Sequence, residues 1–333
     1  MRIYLASIVV CVSGAVILAA SSGCGDDETT ATTATGGNTT SGTGSTSTGQ
    51  GGDGTGGTGG SPTGTGGSGG AGGAGTGGAG GMGNGGAGGG SKAVHLVISE
   101  LGVAPVAAEF VEIYNPTADP VDLGDYYLSD NATYFGIAAG TPWEPITSNP
   151  GTDFLVKFPA GAILAPGAAV VVAAKPGFEQ AFNDCPDFIL SETPLTCAAG
   201  EAAAMVVPAN GGLDEAAAGF SDSREMVMLF IWDGGPASLL QDVDYLTWGP
   251  MFEAGTRADK TDVAGYQADT APDLQKPALE PAPTGSIERC VVESAETANG
   301  GNGISGHDET SEDLGAAFVL QAAPTPGVKN SCL

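Results

Sequence analysis

The chain has 333 residues and a formal net charge of −28, although only 14% of its residues are charged, with 10 Lys and Arg against 38 Asp and Glu. Nucleic acid binding relies on Lys and Arg to neutralise phosphates, so this scarcity of bases excludes DNA and RNA as expected partners and disfavours anionic lipid headgroups. Gly occupies 57 positions, far above the usual share of about 7%, which marks a large part of the chain as unable to build a packed core.

The first segment starts with Arg2 and continues as an uncharged apolar run from Ile3 to Ala20. About 18 apolar residues is the lower edge for spanning a bilayer, so the flank has to decide what the run is. Ser21, Ser22 and Gly23 lead directly into Cys24, which resembles the lipobox of bacterial lipoproteins, although Ser21 stands where that motif usually has Leu. The resemblance implies removal of residues 1–23 as a signal peptide and lipidation of Cys24, which would attach the chain to a membrane. The alternatives are cleavage within Ala19-Ala20-Ser21-Ser22, giving a secreted protein, and a retained helix. Cysteine arithmetic favours the lipid: with Cys11 discarded and Cys24 modified, the even set Cys185, Cys197, Cys290 and Cys332 is left.

Residues 24–92 follow as a linker, and from Gly25 to Ser91 it is almost entirely Gly, Thr, Ser and Ala. Such a sequence buries too little apolar surface to offset the entropy of ordering, so a disordered tether is expected. As a flexible coil it would reach roughly 45 Å. Gly66-Gly67-Ser68-Gly69-Gly70 formally fits a nucleophile elbow, but low-complexity sequence lacks the strand and helix that the motif requires.

From 93 to 333 the pattern is all-β. Val94, Leu96 and Ile98 alternate with His95, Val97 and Ser99 as a first strand. In Glu109-Phe110-Val111-Glu112-Ile113-Tyr114 the odd positions fall on one face and the even positions on the other, and Asn115-Pro116 ends the strand. Val121-Asp122-Leu123 and Tyr126-Tyr127-Leu128-Ser129-Asp130 read as its return. Phe154, Val156 and Phe158 line a further strand, and the apolar run Ala168 to Ala174 is expected to be buried on both faces. Asn183 to Arg224 and Gly249 to Thr284 read as two insertions around the paired segments Met226–Trp232 and Gln241–Trp248. Seven to nine short strands in one domain are expected.

These segments resemble the lamin tail domain family: the acidic-aromatic strand with Asn115-Pro116, the return through Leu123-Gly124 to Ser129-Asp130, Phe158-Pro159 with Ala165-Pro166-Gly167, then Ser286-Ile287-Glu288-Arg289 and Pro324-Thr325-Pro326-Gly327 with Asn330. The resemblance spans about residues 93 to 330. It implies an immunoglobulin-like β-sandwich carrying two loop insertions. The nuclear role of lamins is not implied, because the chain has no coiled-coil rod.

Two disulfides are expected in an oxidising compartment, with Cys185–Cys197 and Cys290–Cys332 favoured among the three possible pairings. A metal centre is not expected, since the cysteines lack zinc spacing and only His95 and His307 are available to help. No cofactor is expected either. Asp119, Asp122, Asp125 and Asp130 cluster around one turn and are the alternative, a calcium site built from oxygen ligands. His307-Asp308 is the one arguable catalytic pair, and Glu109 with Glu112 or Asp242 with Asp244 would be the carboxylate pairs of a glycosidase, but all are read as solvated surface groups. The expectation is therefore a monomeric, non-enzymatic envelope lipoprotein with a protein or glycan ligand. The alternatives are an accessory module for a separate secreted hydrolase and a calcium-stabilised adhesion module.

Overall fold

The computed structural model describes residues 95–144, 153–249, 255–281, 285–328, 330 and 332–333. The expected signal segment, Cys24, the Gly-rich tether and Val94 lie outside these residues. In chain order the first half contains β1 (Val97–Gly102), β2 (Phe110–Tyr114), β3 (Val121–Asp122), β4 (Tyr126–Ser129), β5 (Phe154–Lys157), β6 (Ile163–Leu164) and β7 (Ala169–Ala173). The second half contains α1 (Phe178–Phe182), β8 (Phe188–Ile189), β9 (Leu195–Thr196), β10 (Glu201–Ala204), β11 (Gly212–Leu213), β12 (Glu225–Ile231), β13 (Gln241–Trp248), β14 (Ser286–Arg289), α2 (Leu314–Ala317) and β15 (Phe318–Gln321).

The strands form an eight-stranded sheet in the order β15-β14-β1-β2-β7-β8-β10-β9, a five-stranded sheet in the order β11-β5-β4-β12-β13, and the small pair β3-β6. One apolar core joins the two large sheets, taking Ile98, Val111, Ile113 and Val172 from the first and Leu128, Val156, Met228 and Leu246 from the second. This is the immunoglobulin-like β-sandwich. Fifteen strands occur among the described residues rather than seven to nine, chiefly because several pairings involve only two residues.

The alternation in β2 has the expected consequence on one face: Val111 and Ile113 enter the central core. Asn115 ends β2 with its side chain, whose Nδ2 donates to the carbonyls of Asp119 (2.9 Å) and Leu164 (3.0 Å) while its Oδ1 accepts from the Thr117 amide (3.0 Å). β7 is buried along nearly its whole length, as its continuous apolar run predicts.

The other face of β2 departs from expectation. Phe110 packs with Phe178 and Phe182 of α1, and Glu112 is 1% exposed. For Phe110 the segment expected as the first insertion is the reason: β8 pairs in parallel with β7 and in turn with β10, so it extends the main sheet, while Ile189 and Ala202 join Phe110 and α1 in a second apolar cluster. The expected second insertion is structural as well, since it places Ala258 and Lys260 in the interior with no exposure.

Two disulfides staple the outer parts, Cys185 to Cys197 and Cys290 to Cys332. Among the described residues no helix is long and apolar enough to cross a membrane.

Candidate functional site

The acids read from the sequence as surface groups are interior. Glu109, Glu112, Asp130, Asp242 and Asp244 are each 3% exposed or less, whereas Asp119, Asp122 and Asp125 stand in solvent. Ionised carboxylates are buried only where other groups compensate them, and each has a specific arrangement.

Glu112, Glu100 and Glu288 are cross-strand neighbours on β2, β1 and β14. The C-terminal Pro324-Thr325-Pro326-Gly327 segment lies over this row, with the Thr325 amide donating to Glu100 Oε1 (3.0 Å) and the Gly327 amide to Glu112 Oε2 (2.7 Å). Ser99 Oγ also donates to Glu112 (2.6 Å). Burial raises all three carboxyl groups, Glu112 to about 7. Glu109 lies on the opposite side of β2, accepts from the Phe220 amide at 3.0 Å, and is likewise raised by burial to about 7. Glu109 and Glu112 therefore share no cleft.

Asp242 and Asp244 also separate. Lys260 Nζ contacts Asp242 (2.6 Å) and Asp269 (3.4 Å), and the Tyr134 hydroxyl donates to Asp242 at 2.6 Å. Asp244 belongs to Arg289, whose other guanidinium nitrogen holds Glu312. Asp242 and Asp244 are thus each held in the interior by a cation of its own.

The four candidate calcium ligands do not converge. Asp122 accepts from the Gly124 amide at 2.8 Å, Asp125 pairs with Lys157 at 3.2 Å, and Asp119 is exposed. Asp130 instead meets Asp153 and Glu225, all three buried, with one oxygen from each lying within 4.8 Å of the others. Burial, followed by the charges of Glu225 and Asp153, pushes Asp130 well above the carboxylate range, which favours its protonated form.

Among the described residues, two overlapping groups of side chains that could hold a metal ion surround the two histidines. His95 precedes β1, Glu293 and Glu296 lie in the loop after β14, and His307 and Glu309 lie between Gly300 and α2. That last loop folds around glycines: a Cβ at Gly303 would stand 2.7 Å from Glu309 Oε1 and 2.9 Å from the His307 carbonyl. Asp308 then caps the following turn, accepting from the Thr310 amide at 3.2 Å and from Thr270 Oγ1 at 2.8 Å. His307 is consequently not paired with Asp308. Its Nδ1 lies 2.9 Å from Glu296 Oε2.

The two imidazoles meet edge to face with ring centroids 6.1 Å apart. One ligand atom each from His95, Glu293 and His307 lies within 4.8 Å of the other two, and the same holds for Glu296, His307 and Glu309. Burial opposes a charge on His95, but Glu293, the Leu96 carbonyl and Asp244 outweigh it and raise the ring. Burial raises Glu296 and, together with Glu296, Asp244, Asp242 and Glu312, raises Glu309 well above the usual range. Sequence reasoning named both histidines but none of the three glutamates. Chain spacing carries little signal for them: Glu293, Glu296, His307 and Glu309 lie in one stretch after β14, but His95 joins them from the distant start of β1.

Among the described residues, an open groove of about 290 Å³ lies elsewhere, with Tyr127, Ile137, Pro208 and Trp232 in its lining. Another, about 260 Å³, is lined by Ile189, Leu190, Pro194 and Glu215.

Fold and site define an acidic, disulfide-stapled immunoglobulin-like sandwich. Residues 90–235 match the Lamin Tail Domain family. The family match ends at the turn after β12, so β13, β14 and the Pro324–Gly327 segment lie beyond it. Among solved structures, the chain is similar to a DUF4876 family protein from Bacteroides thetaiotaomicron, with 13% identity, 71% of this chain and 74% of that chain covered, and a TM-score of 0.39. No curated protein matches the chain.

Proposed function

We propose that this is a non-enzymatic lipoprotein of the bacterial cell envelope, anchored through Cys24, that displays its lamin tail domain on the Gly-rich tether as a binding or structural module. The observation that carries the reading is the pair of disulfides, Cys185–Cys197 and Cys290–Cys332. Disulfides persist in oxidising compartments, and the apolar run ending at Ser21-Ser22-Gly23-Cys24 is the export signal that would take the chain there. The aromatic-lined groove at Tyr127 and Trp232 supplies a surface suited to a protein or glycan ligand. The engagement of Glu109, Glu112, Asp242 and Asp244 by interior partners supports a structural role for these acids.

Growth with an alkyne-tagged fatty acid tests the anchor. The chain should take up the label and sediment with membranes, and Cys24→Ala should lose both properties. An unlabelled chain found only in the soluble fraction would reject the lipoprotein reading in favour of secretion. Crosslinking in intact envelopes, followed by identification of the captured molecule, would separate a structural ligand from a hydrolase partner.

A further inference from the structure

We propose that His95, Glu293 and His307 bind one divalent transition-metal ion of the zinc class where the start of β1 meets the loops after β14, with Glu296 holding the His307 ring. This goes beyond the envelope role and does not depend on it.

The two rings are set up for coordination. Nδ1 of His95 lies 2.8 Å from the Leu96 carbonyl, and a carbonyl only accepts, so this nitrogen carries the hydrogen. Nδ1 of His307 lies 2.9 Å from Glu296 Oε2 and donates to its carboxylate in the same way. Each neutral ring therefore keeps its lone pair on Nε2. A hydrogen-bonded far nitrogen is the usual support of a metal-binding histidine, fixing both tautomer and ring orientation.

The acceptor side has too many electron pairs and too few protons. His95 Nε2 lies 3.2 Å from Glu293 Oε1, within ion-pair range, yet neither atom makes a well-aligned hydrogen bond among the described residues. A simple ion pair through a ring N–H would give both atoms a hydrogen bond. Two donors on one tetrahedral zinc ion, each about 2.0–2.1 Å from the metal, stand roughly 3.3 Å apart. The observed spacing is that of two neighbouring ligands.

The orphaned atoms are concentrated here. Six buried side-chain nitrogen and oxygen atoms lack a hydrogen-bond partner among the described residues, and four of them are His95 Nε2, Glu293 Oε1, Glu296 Oε1 and Glu309 Oε1. Buried polar atoms left without partners cost stability, and such a group in one place indicates an ion that satisfies them together. Carboxyl groups outnumber cations around the two imidazoles, and a divalent ion bound among them would offset that excess of negative charge. Two imidazoles select a borderline transition ion over calcium or magnesium, which prefer oxygen donors. The side chains of Glu293 and His307 keep 18% and 16% exposure, so solvent reaches the centre.

The test uses the full chain, purified in detergent without an affinity tag and stripped with chelator, then titrated with ZnCl2 by calorimetry and measured by X-ray absorption at the zinc edge. The expected result is one zinc per chain with two imidazole nitrogens at about 2.0 Å. The chain has only two histidines, so two imidazoles identify both. Glu296→Gln should weaken binding about 10–100-fold, and His307→Gln should abolish it while the metal-free variant melts like the metal-free parent. No saturable binding, a zinc shell made only of oxygen, or an affinity unchanged in His307→Gln would overturn the proposal. Should His307→Gln fail to fold, the absorption spectrum of the unmodified chain decides alone.

Discussion

Arg289 binds Asp244 across the sandwich, with Nη2 placed 2.8 Å from Oδ1 and 2.9 Å from Oδ2. Arg289 belongs to β14 of the eight-stranded sheet and Asp244 to β13 of the five-stranded sheet, so the contact ties the two layers together. The same guanidinium holds both oxygens of Glu312 through Nη1, at 2.8 and 3.0 Å, and its Nε donates to the Ile98 carbonyl at 2.9 Å. Removing one partner from such a buried group leaves an uncompensated charge. Arg289→Met should therefore lower the unfolding free energy by about 3–5 kcal/mol in urea titrations. Arg289→Lys should recover little, because an ammonium cannot reach both acids in a planar arrangement.

Glu112 and Val111 are adjacent on β2 and fail differently when changed. Val111 has no exposure and packs in the central core, so Val111→Asp, which buries an unpaired charge, should prevent folding. Glu112→Ala strands the Ser99 hydroxyl and the Gly327 amide and should cost about 1–3 kcal/mol. A near-native circular dichroism melt for Val111→Asp would contradict the assigned register.

The pH dependence of stability should have an unusual sign in the mildly acidic range. Burial raises Glu112 to about 7 in the folded chain from an ordinary value of 4.5. Between these values the folded state holds a proton that the unfolded state has released, so stability falls as pH rises through this window and stays reduced above it. Glu109 adds a contribution of the same sign. Glu112→Gln should remove up to about 3 kcal/mol of this dependence, read from urea midpoints at pH 4.5, 6 and 7.5.

The two disulfides should contribute unequally. Cys290–Cys332 closes a separation of 42 residues and Cys185–Cys197 one of 12. Loop-closure entropy then assigns about 4 kcal/mol to the first and about 3 kcal/mol to the second. Paired Ser substitutions, compared by thermal melting under non-reducing conditions, should show the larger loss for Cys290 and Cys332. The longer loop also holds Glu293, Glu296, His307 and Glu309, so that variant should additionally lower the protection of their amides from hydrogen exchange.

Much of the fold is readable locally. The alternation through Val111 and Ile113, the stop at Asn115-Pro116 and the continuous run of β7 each depend on neighbours a few residues away, where the period of a strand and the chemistry of a turn act directly. The Pro324–Gly327 segment was visible in the sequence as a proline turn. Its task was not, because the Thr325 and Gly327 amides gain meaning only when they lie on Glu100 and Glu112.

By itself the sequence determined an all-β sandwich, legible in its strand periodicity. The tertiary structure decided which carboxylates are interior and which of them meet the histidines. A strand pattern specifies that alternate residues lie on opposite faces, but not whether a distant segment covers the second face. Here α1, β8 and β10 cover Phe110, the C-terminal segment covers Glu112, and Arg289 and Lys260 hold Asp244 and Asp242 inside. Those contacts are set by chain topology over long separations, and the same topology brings His95 to His307.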